Sequence, residues 1–281
     1  MFSLYGSQFA SRFVFCLSLL FLCNSSSIAE EDVENSRKLL TTFMEEFVKI
    51  TPGQGDFPAT VTIGSLDGSE AERPPYQAQL KKEFSIAKYE VYQSLYTEVM
   101  GNNPSRWHGP RNSAEKMTYG EAEEFCRRIT NRLRKEKLIT GNQLIRLPNE
   151  VEWEYCTRAG TTTPYSFGKS ATAPTDQGNK ASVLDPYGWH TGNAAGNDPA
   201  VGVLKPNPWG LYDVHGYLSE FCQGDWKENY SSQSKVNEKS VAIRGGSWKD
   251  RYPLLTSSSR RPFPKTDRDD AVGFRCVIVE E

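Results

Sequence analysis

Apolar residues fall three or four positions apart at Ala122, Phe125, Cys126, Ile129 and Leu133, with Arg127, Arg128, Arg132 and Arg134 mostly elsewhere. That spacing predicts an amphipathic helix of about 18 residues. Its start is written as Thr118-Tyr119-Gly120-Glu121, a capping box in which hydroxyl and carboxylate each satisfy a free backbone N–H. Its stop is Thr140-Gly141-Asn142. A second helix is predicted after Pro148, with Asn149 as cap, Glu152 three residues on, and Trp153 and Cys156 facing inward together. A third is predicted over 92–100, ended by Gly101-Asn102-Asn103-Pro104, and the polar stretch 30–45 reads as a short helical lead-in. From residue 157 onward Gly and Pro punctuate the chain so densely that strands there must be short. They are expected at 201–204, 211–213, 241–244 and 273–279. Helices first and an irregular, aromatic-rich sheet region afterwards predict an α+β class.

The N-terminus changes the compartment. Arg12 precedes an apolar run from Phe13 to Cys23, and Ser27-Ile28-Ala29 resembles a small-x-Ala cleavage site. The run is too short to span a bilayer. The reading is an export signal over 1–29, a lead-in over 30–45 and one domain over 46–281, in a protein that is periplasmic, secreted or surface-bound; an uncleaved anchor is the alternative. Cleavage removes Cys16 and Cys23 and leaves Cys126, Cys156, Cys222 and Cys276. Four cysteines in an exported chain favour two disulfides of unspecified connectivity, with four buried thiols as the alternative.

Net charge is −2, so nothing points to a nucleic-acid partner. Aromatic residues make up 12% of the chain, which suggests a core built on large rings. No Walker loop, dinucleotide fingerprint, nucleophile elbow or H-E-x-x-H motif is present. The three histidines, His108, His190 and His215, lie in turn-rich segments without ligand spacing.

Several words in order carry a resemblance. They are Ala87-Lys88-Tyr89-Glu90-Val91, Asn102-Asn103-Pro104-Ser105-Arg106 and Arg146-Leu147-Pro148-Asn149-Glu150-Val151-Glu152-Trp153-Glu154-Tyr155. Then come Pro206-Asn207-Pro208-Trp209-Gly210-Leu211-Tyr212-Asp213, Arg244-Gly245-Gly246-Ser247-Trp248 and Gly273-Phe274-Arg275. Together they resemble the formylglycine-generating enzyme, or sulfatase-modifying factor, family over about residues 46–279. The resemblance implies that family's variant of the C-type lectin-like fold, with few regular strands and many loops.

Active members of that family are implied to oxidise a peptide cysteine with dioxygen and Cu(I) held by two thiolates, which suits a soft ion. The thiolates fall three residues after the serine of the GGS word and five further on. Here those positions are Asp250 and Leu255, and no cysteine lies from 223 to 275. Copper is therefore not expected. The family's Asn in the following Asp-x-x-Gly-Asn-Val-Trp-Glu-Trp word is Tyr217 here, which puts one calcium site in doubt. Asn179 and Asn193 match positions of the other, and read equally as turn asparagines. The resemblance further implies bridges Cys156–Cys276 and Cys126–Cys222.

Trp153 reads as core, Arg146 with Glu152 as a pair, Arg275 as paired to a carboxylate, and Gly245-Gly246 as a close backbone approach. Ser247, Asp250, Glu220 and His215, with Asp225, are the residues that could converge on a pocket. The expectation is an exported binding or accessory module for a peptide, glycan or protein ligand, without a membrane span after cleavage. The alternative is an enzyme of other chemistry on the same fold, such as peptide or siderophore maturation.

Overall fold

A computed structural model describes residues 30–281; the signal-like segment lies outside them. The chain divides into two compact units, Met1–Thr42 and Phe43–Glu281. Residues 30–45 form helix α1, so the first unit is helical where it is described. No helix among the described residues is long and apolar enough to cross a membrane.

The second unit is built on two four-stranded sheets. One runs β1 (Phe47–Ile50), β4 (Phe84–Ala87), β12 (Val277–Glu280), β5 (Gln143–Arg146), with every pair antiparallel. The other runs β10 (Arg260–Pro264), β9 (Ser240–Arg244), β6 (Ser219–Phe221), β11 (Val272–Gly273), in which β6 and β11 are parallel and the rest antiparallel. Two short ribbons, β2 (Thr60–Ile63) with β3 (Tyr76–Gln79) and β7 (Trp226–Lys227) with β8 (Val236–Asn237), flank them.

The predicted helices are present with their predicted N-terminal capping boxes, but the helix begun at Thr118 stops at Lys135 with Glu136 as its C-cap rather than at Thr140-Gly141-Asn142. α2 spans Gln93–Met100 and stops at Gly101 in the left-handed region. α3 spans Tyr119–Lys135 with the Thr118/Glu121 capping box formed, and buries all five residues of its apolar stripe. α3 is fixed to β5 by Thr130, whose Oγ1 accepts from Ile145 N at 2.9 Å. Its Phe125 stacks on Tyr96 of α2 and meets Phe274 edge-on. α4 spans Glu150–Arg158, with its box closed by Asn149 and Glu152.

Of the strands expected late in the chain, 241–244 lies within β9, whereas 201–204 and 211–213 are loops. Asn207 explains the second loop. Its Oδ1 accepts from Trp209 N and Leu211 N, and its Nδ2 donates to Cys156 O and Thr157 O, so a side chain replaces ladder bonds. The stretch 273–279 is split between β11 and β12. At the break Phe274 O and Cys276 O turn to Val91 N and Ala87 N.

The glutamates of α4 and the arginines of the late strands form one framework. Glu150 binds Arg244 and Arg260, Glu154 binds Arg158 and Arg244, and Glu152 binds Arg146 with two bonds of 2.7 Å. Glu220 binds Arg275 with two further bonds of 2.7 Å, both side chains fully buried. Trp153 Nε1 donates to the same Glu220 at 2.8 Å. Bidentate guanidinium–carboxylate pairs impose geometry as well as charge balance, so these family words dock α4 onto the second sheet through Glu150, Glu154 and Trp153 and onto β5 of the first through Glu152.

Candidate functional site

Most of the candidate residues turn out to be committed within the frame. Ser247 and Asp250 do meet: Ser247 Oγ donates to Asp250 Oδ2 at 2.7 Å and Ser247 N to the same oxygen at 2.9 Å. Both are buried, however, and Arg261 closes on Asp250 with bonds of 2.7 and 2.9 Å. Leu255, at the second thiolate position, packs fully buried with Tyr165, Ala181 and Leu184. An ion-paired carboxylate and a core leucine do not fit Cu(I). Glu220 is held by Arg275 and Trp153 as described.

His215 is buried; its Nδ1 donates to Leu255 O at 2.8 Å, so Nε2 accepts from Ser166 N and Oγ. Burial lowers its pKa to about 4, and it serves as a neutral link between loops. Asp225 pairs at the surface with Lys265. His108 and His190 are engaged separately, with Ser105 O and Asp185.

The implied disulfides are not formed. All four described cysteines are free and buried. Cys276 faces Cys126 of α3 across 4.0 Å, not Cys156. Cys156 lies in the core cluster under β4 and β12, and Cys222 in another with Trp153 and Trp226. The implied calcium ligands fare similarly. Asn193 Oδ1 accepts from His190 N and its Nδ2 donates to Gly188 O, so the side chain is a turn fixture. Asn179 is exposed. Among the described residues no three His, Cys, Asp or Glu side chains gather to hold a metal ion, and Asn179 and Asn193 bring no charge of the kind a hard cation prefers.

A concave feature lies elsewhere. Strand β6 begins, β11 begins and β9 ends at one edge of the second sheet. The loops leaving that edge enclose a cavity of about 580 Å³ walled by Trp107, Glu115, Trp189, Tyr217, Trp248 and Asp270. The volume suits a small organic ligand or a side chain.

Backbone bonds fix these walls to one another. Tyr217 N donates to Trp189 O at 3.1 Å, and Trp248 N to Tyr217 O at 2.9 Å. Trp248 Nε1 then donates to Asp270 O at 3.2 Å. Gly216, at φ +123°, makes the first contact feasible, since a Cβ there would lie 2.3 Å from Trp189 O. Tyr217 itself sits at φ +86°, a conformation costly for an aromatic residue. Its hydroxyl donates to Pro199 O at 2.6 Å and accepts from Ser113 N. The pair of Ser247 and Asp250 shapes the turn that delivers Trp248, and Asp250 O accepts from Thr191 N of the opposite wall. Asp250 is thus a positioning residue.

Two buried polar atoms of the lining have no protein partner. Glu115, 3% exposed, accepts backbone bonds from Arg106 and Trp107 on Oε1, but its Oε2 is buried and unpaired. Trp189 Nε1 is likewise buried and unpaired. Burial pushes the Glu115 pKa up to about 7, against those two N–H bonds and with the Asp270 charge adding to it. Asp270 goes the other way. Burial opposes its ionisation, but bonds from Lys249 and Arg106 hold it below the ordinary value.

The sequence signals for Trp107 and Trp248 were their places beside the Asn-Pro-Ser-Arg and Arg-Gly-Gly-Ser words. Glu115 and Trp189 carry no local signal, because only the fold brings residues 74 positions apart to one cavity.

Comparison with known proteins places these features. The family profile described as "Sulfatase-modifying factor enzyme 1-like domain" matches residues 34–279. The chaperone protein LppX of Paenibacillus barcinonensis is 28% identical over 200 residues, which cover 59% of this chain and 69% of that protein. The formylglycine-generating enzyme of Mycobacterium tuberculosis is 35% identical over 160 residues, 47% of this chain; the match spans 50% of the enzyme's length. Among solved structures, PvdO from Pseudomonas aeruginosa superposes with a TM-score of 0.65 at 25% identity, covering 84% of this chain and 94% of that one.

Proposed function

This chain belongs to the sulfatase-modifying factor enzyme 1-like family, and from that premise we propose that it is an exported binding or accessory module rather than a copper-dependent oxidase. The observation that carries this reading is how the residues are used. The positions that would hold Cu(I) are an ion-paired aspartate and a core leucine, while the walls beside them form a fixed aromatic cavity. A pocket whose rings are pinned by backbone bonds is organised for recognition. The name of LppX, a chaperone protein, is in keeping with an accessory role on this fold. The test is mass spectrometry of a Cys-x-Pro-x-Arg peptide incubated with the purified protein, copper and dioxygen. No cysteine-to-formylglycine conversion is expected above a protein-free control. Multiple turnovers would overturn the proposal.

One observation favours a second reading, an enzyme of different chemistry in the same cavity. A carboxyl poised at about 7 is matched to proton transfer near neutrality. On that reading Glu115 would be the group that holds or moves the proton, and Asp250 and Ser247 would not touch the substrate.

A further inference from the structure

The cavity's walls specify a class of ligand. Three indoles and a phenol surround it, and its charged lining is three carboxyls, Glu115, Asp198 and Asp270, against one ammonium, Lys249. That ammonium is already spent: Lys249 Nζ binds both Asp269 and Asp270. Arg106 also binds Asp270, with a bond of 2.8 Å. Asp198 is engaged by Asn112 at 2.5 Å. After these pairings, Glu115 keeps a buried oxygen without a partner, and Trp189 keeps a buried N–H without one.

The rings are already used as cation acceptors where they reach the protein's own charges. Lys249 Nζ sits 5.3 Å from the Trp248 ring centroid, and the Arg106 guanidinium carbon 4.7 Å from that of Trp107. Indole faces attract cations through the ring quadrupole, and more strongly where water is excluded. A buried acceptor without a donor costs free energy that an incoming N–H recovers.

Resting on the reading of this cavity as a binding site, we propose that it takes a primary alkylammonium group, which lies against the indole faces and donates to Glu115 Oε2. The same ligand offers an acceptor, a carbonyl or hydroxyl, to Trp189 Nε1. A lysyl residue of a peptide carries both groups, whereas a free aliphatic amine carries the ammonium alone. A neutral or anionic chain of the same length lacks what the site leaves unsatisfied. The low position of Asp270 and the raised position of Glu115 are consistent with this division of labour: Asp270 is consumed by internal cations, Glu115 waits for an external one.

The test is calorimetric titration of the purified protein at pH 8 with three probes: Nα-acetyl-L-lysine methylamide, cadaverine, and Nα-acetyl-L-norleucine methylamide. At least one amine is expected to bind, about tenfold or more tighter than the norleucine probe, as one charge-assisted bond implies. Glu115→Gln, checked for folding by urea titration, should lose that preference. Trp189→Phe should weaken the lysyl probe while keeping the preference for amine. Binding of the lysyl probe alone assigns the peptide source; equal binding of cadaverine assigns a free amine. Equal affinity for the norleucine probe, an unchanged Glu115→Gln variant, or no heat from either amine would each overturn the proposal. Peptide oxidation is read separately by mass, so the accessory reading can fail while the amine preference stands, and the reverse.

Discussion

Glu115→Gln is the substitution that separates a site from a scaffold, because it is expected to stabilise the protein at alkaline pH. The wild-type carboxyl is 3% exposed and its pKa stands at about 7 against an ordinary 4.5. A folded-state pKa above the unfolded value means that the native state binds the proton more tightly. Stability is therefore full below about pH 4.5 and is lost as pH rises through 7. At about 1.4 kcal/mol per pH unit of difference the loss is about 3 kcal/mol. Part of that loss falls below pH 5, which leaves about 2 kcal/mol to be read between pH 5 and pH 8.

Glutamine keeps an oxygen for the Arg106 and Trp107 amides and never ionises. Urea unfolding of both proteins at pH 5 and pH 8 measures the effect. The wild type should lose about 2 kcal/mol more than the variant over that interval. Glu90 and Asp213, also buried and raised, lose stability in both proteins and cancel in the difference. Equal losses, within about 0.5 kcal/mol, would refute the argument that Glu115 is held in a costly ionised state.

Other perturbations probe the frame. Glu220→Gln should destabilise by about 3 kcal/mol in urea at pH 7, since it strips a fully buried Arg275 of its counter-charge. The cost stays at the low end because Ala87 O, Lys88 O and Tyr212 O still accept from Arg275. Gly216→Ala should cost about 2 kcal/mol or more and shift tryptophan emission, because its Cβ would meet Trp189 O at 2.3 Å; an unchanged spectrum would count against the pinned wall. Mapping by mass after oxidation should find Cys126 joined to Cys276, whose sulfurs are 4.0 Å apart, with Cys156 and Cys222 alkylated as thiols. A Cys156–Cys276 product would contradict that geometry.

How much of this was legible in the sequence depends on whether a residue's role is local. Thr118 with Glu121 and Asn149 with Glu152 cap their helices through atoms three residues apart, and both caps were readable. The Arg244, Arg275 and Glu150 words were readable as a family frame, and so was the Arg146–Glu152 pair, though not which carboxylates meet Arg244 and Arg275. The loop at 211–213 was misread as a strand because Asn207 supplies bonds that hydropathy does not record. The candidates Ser247, Asp250, Glu220 and His215 were reactive types at well-placed positions, but Asp250, Glu220 and His215 are satisfied by Arg261, Arg275 and Leu255, and Ser247 by Asp250.

Reactivity requires a group that folding leaves unsatisfied, and that is a property of the whole contact set. Glu115 differs from Glu220 in this alone. Both are buried carboxylates, yet Glu220 has a guanidinium on both oxygens and Glu115 has two amides on one oxygen and nothing on the other. Asp250 shows the converse. At the position where the resemblance implies a thiolate in active members, this chain has a carboxylate whose bonds to Ser247 and Arg261 hold the turn carrying Trp248. The carboxylate of Asp250 is therefore a strut for the aromatic wall.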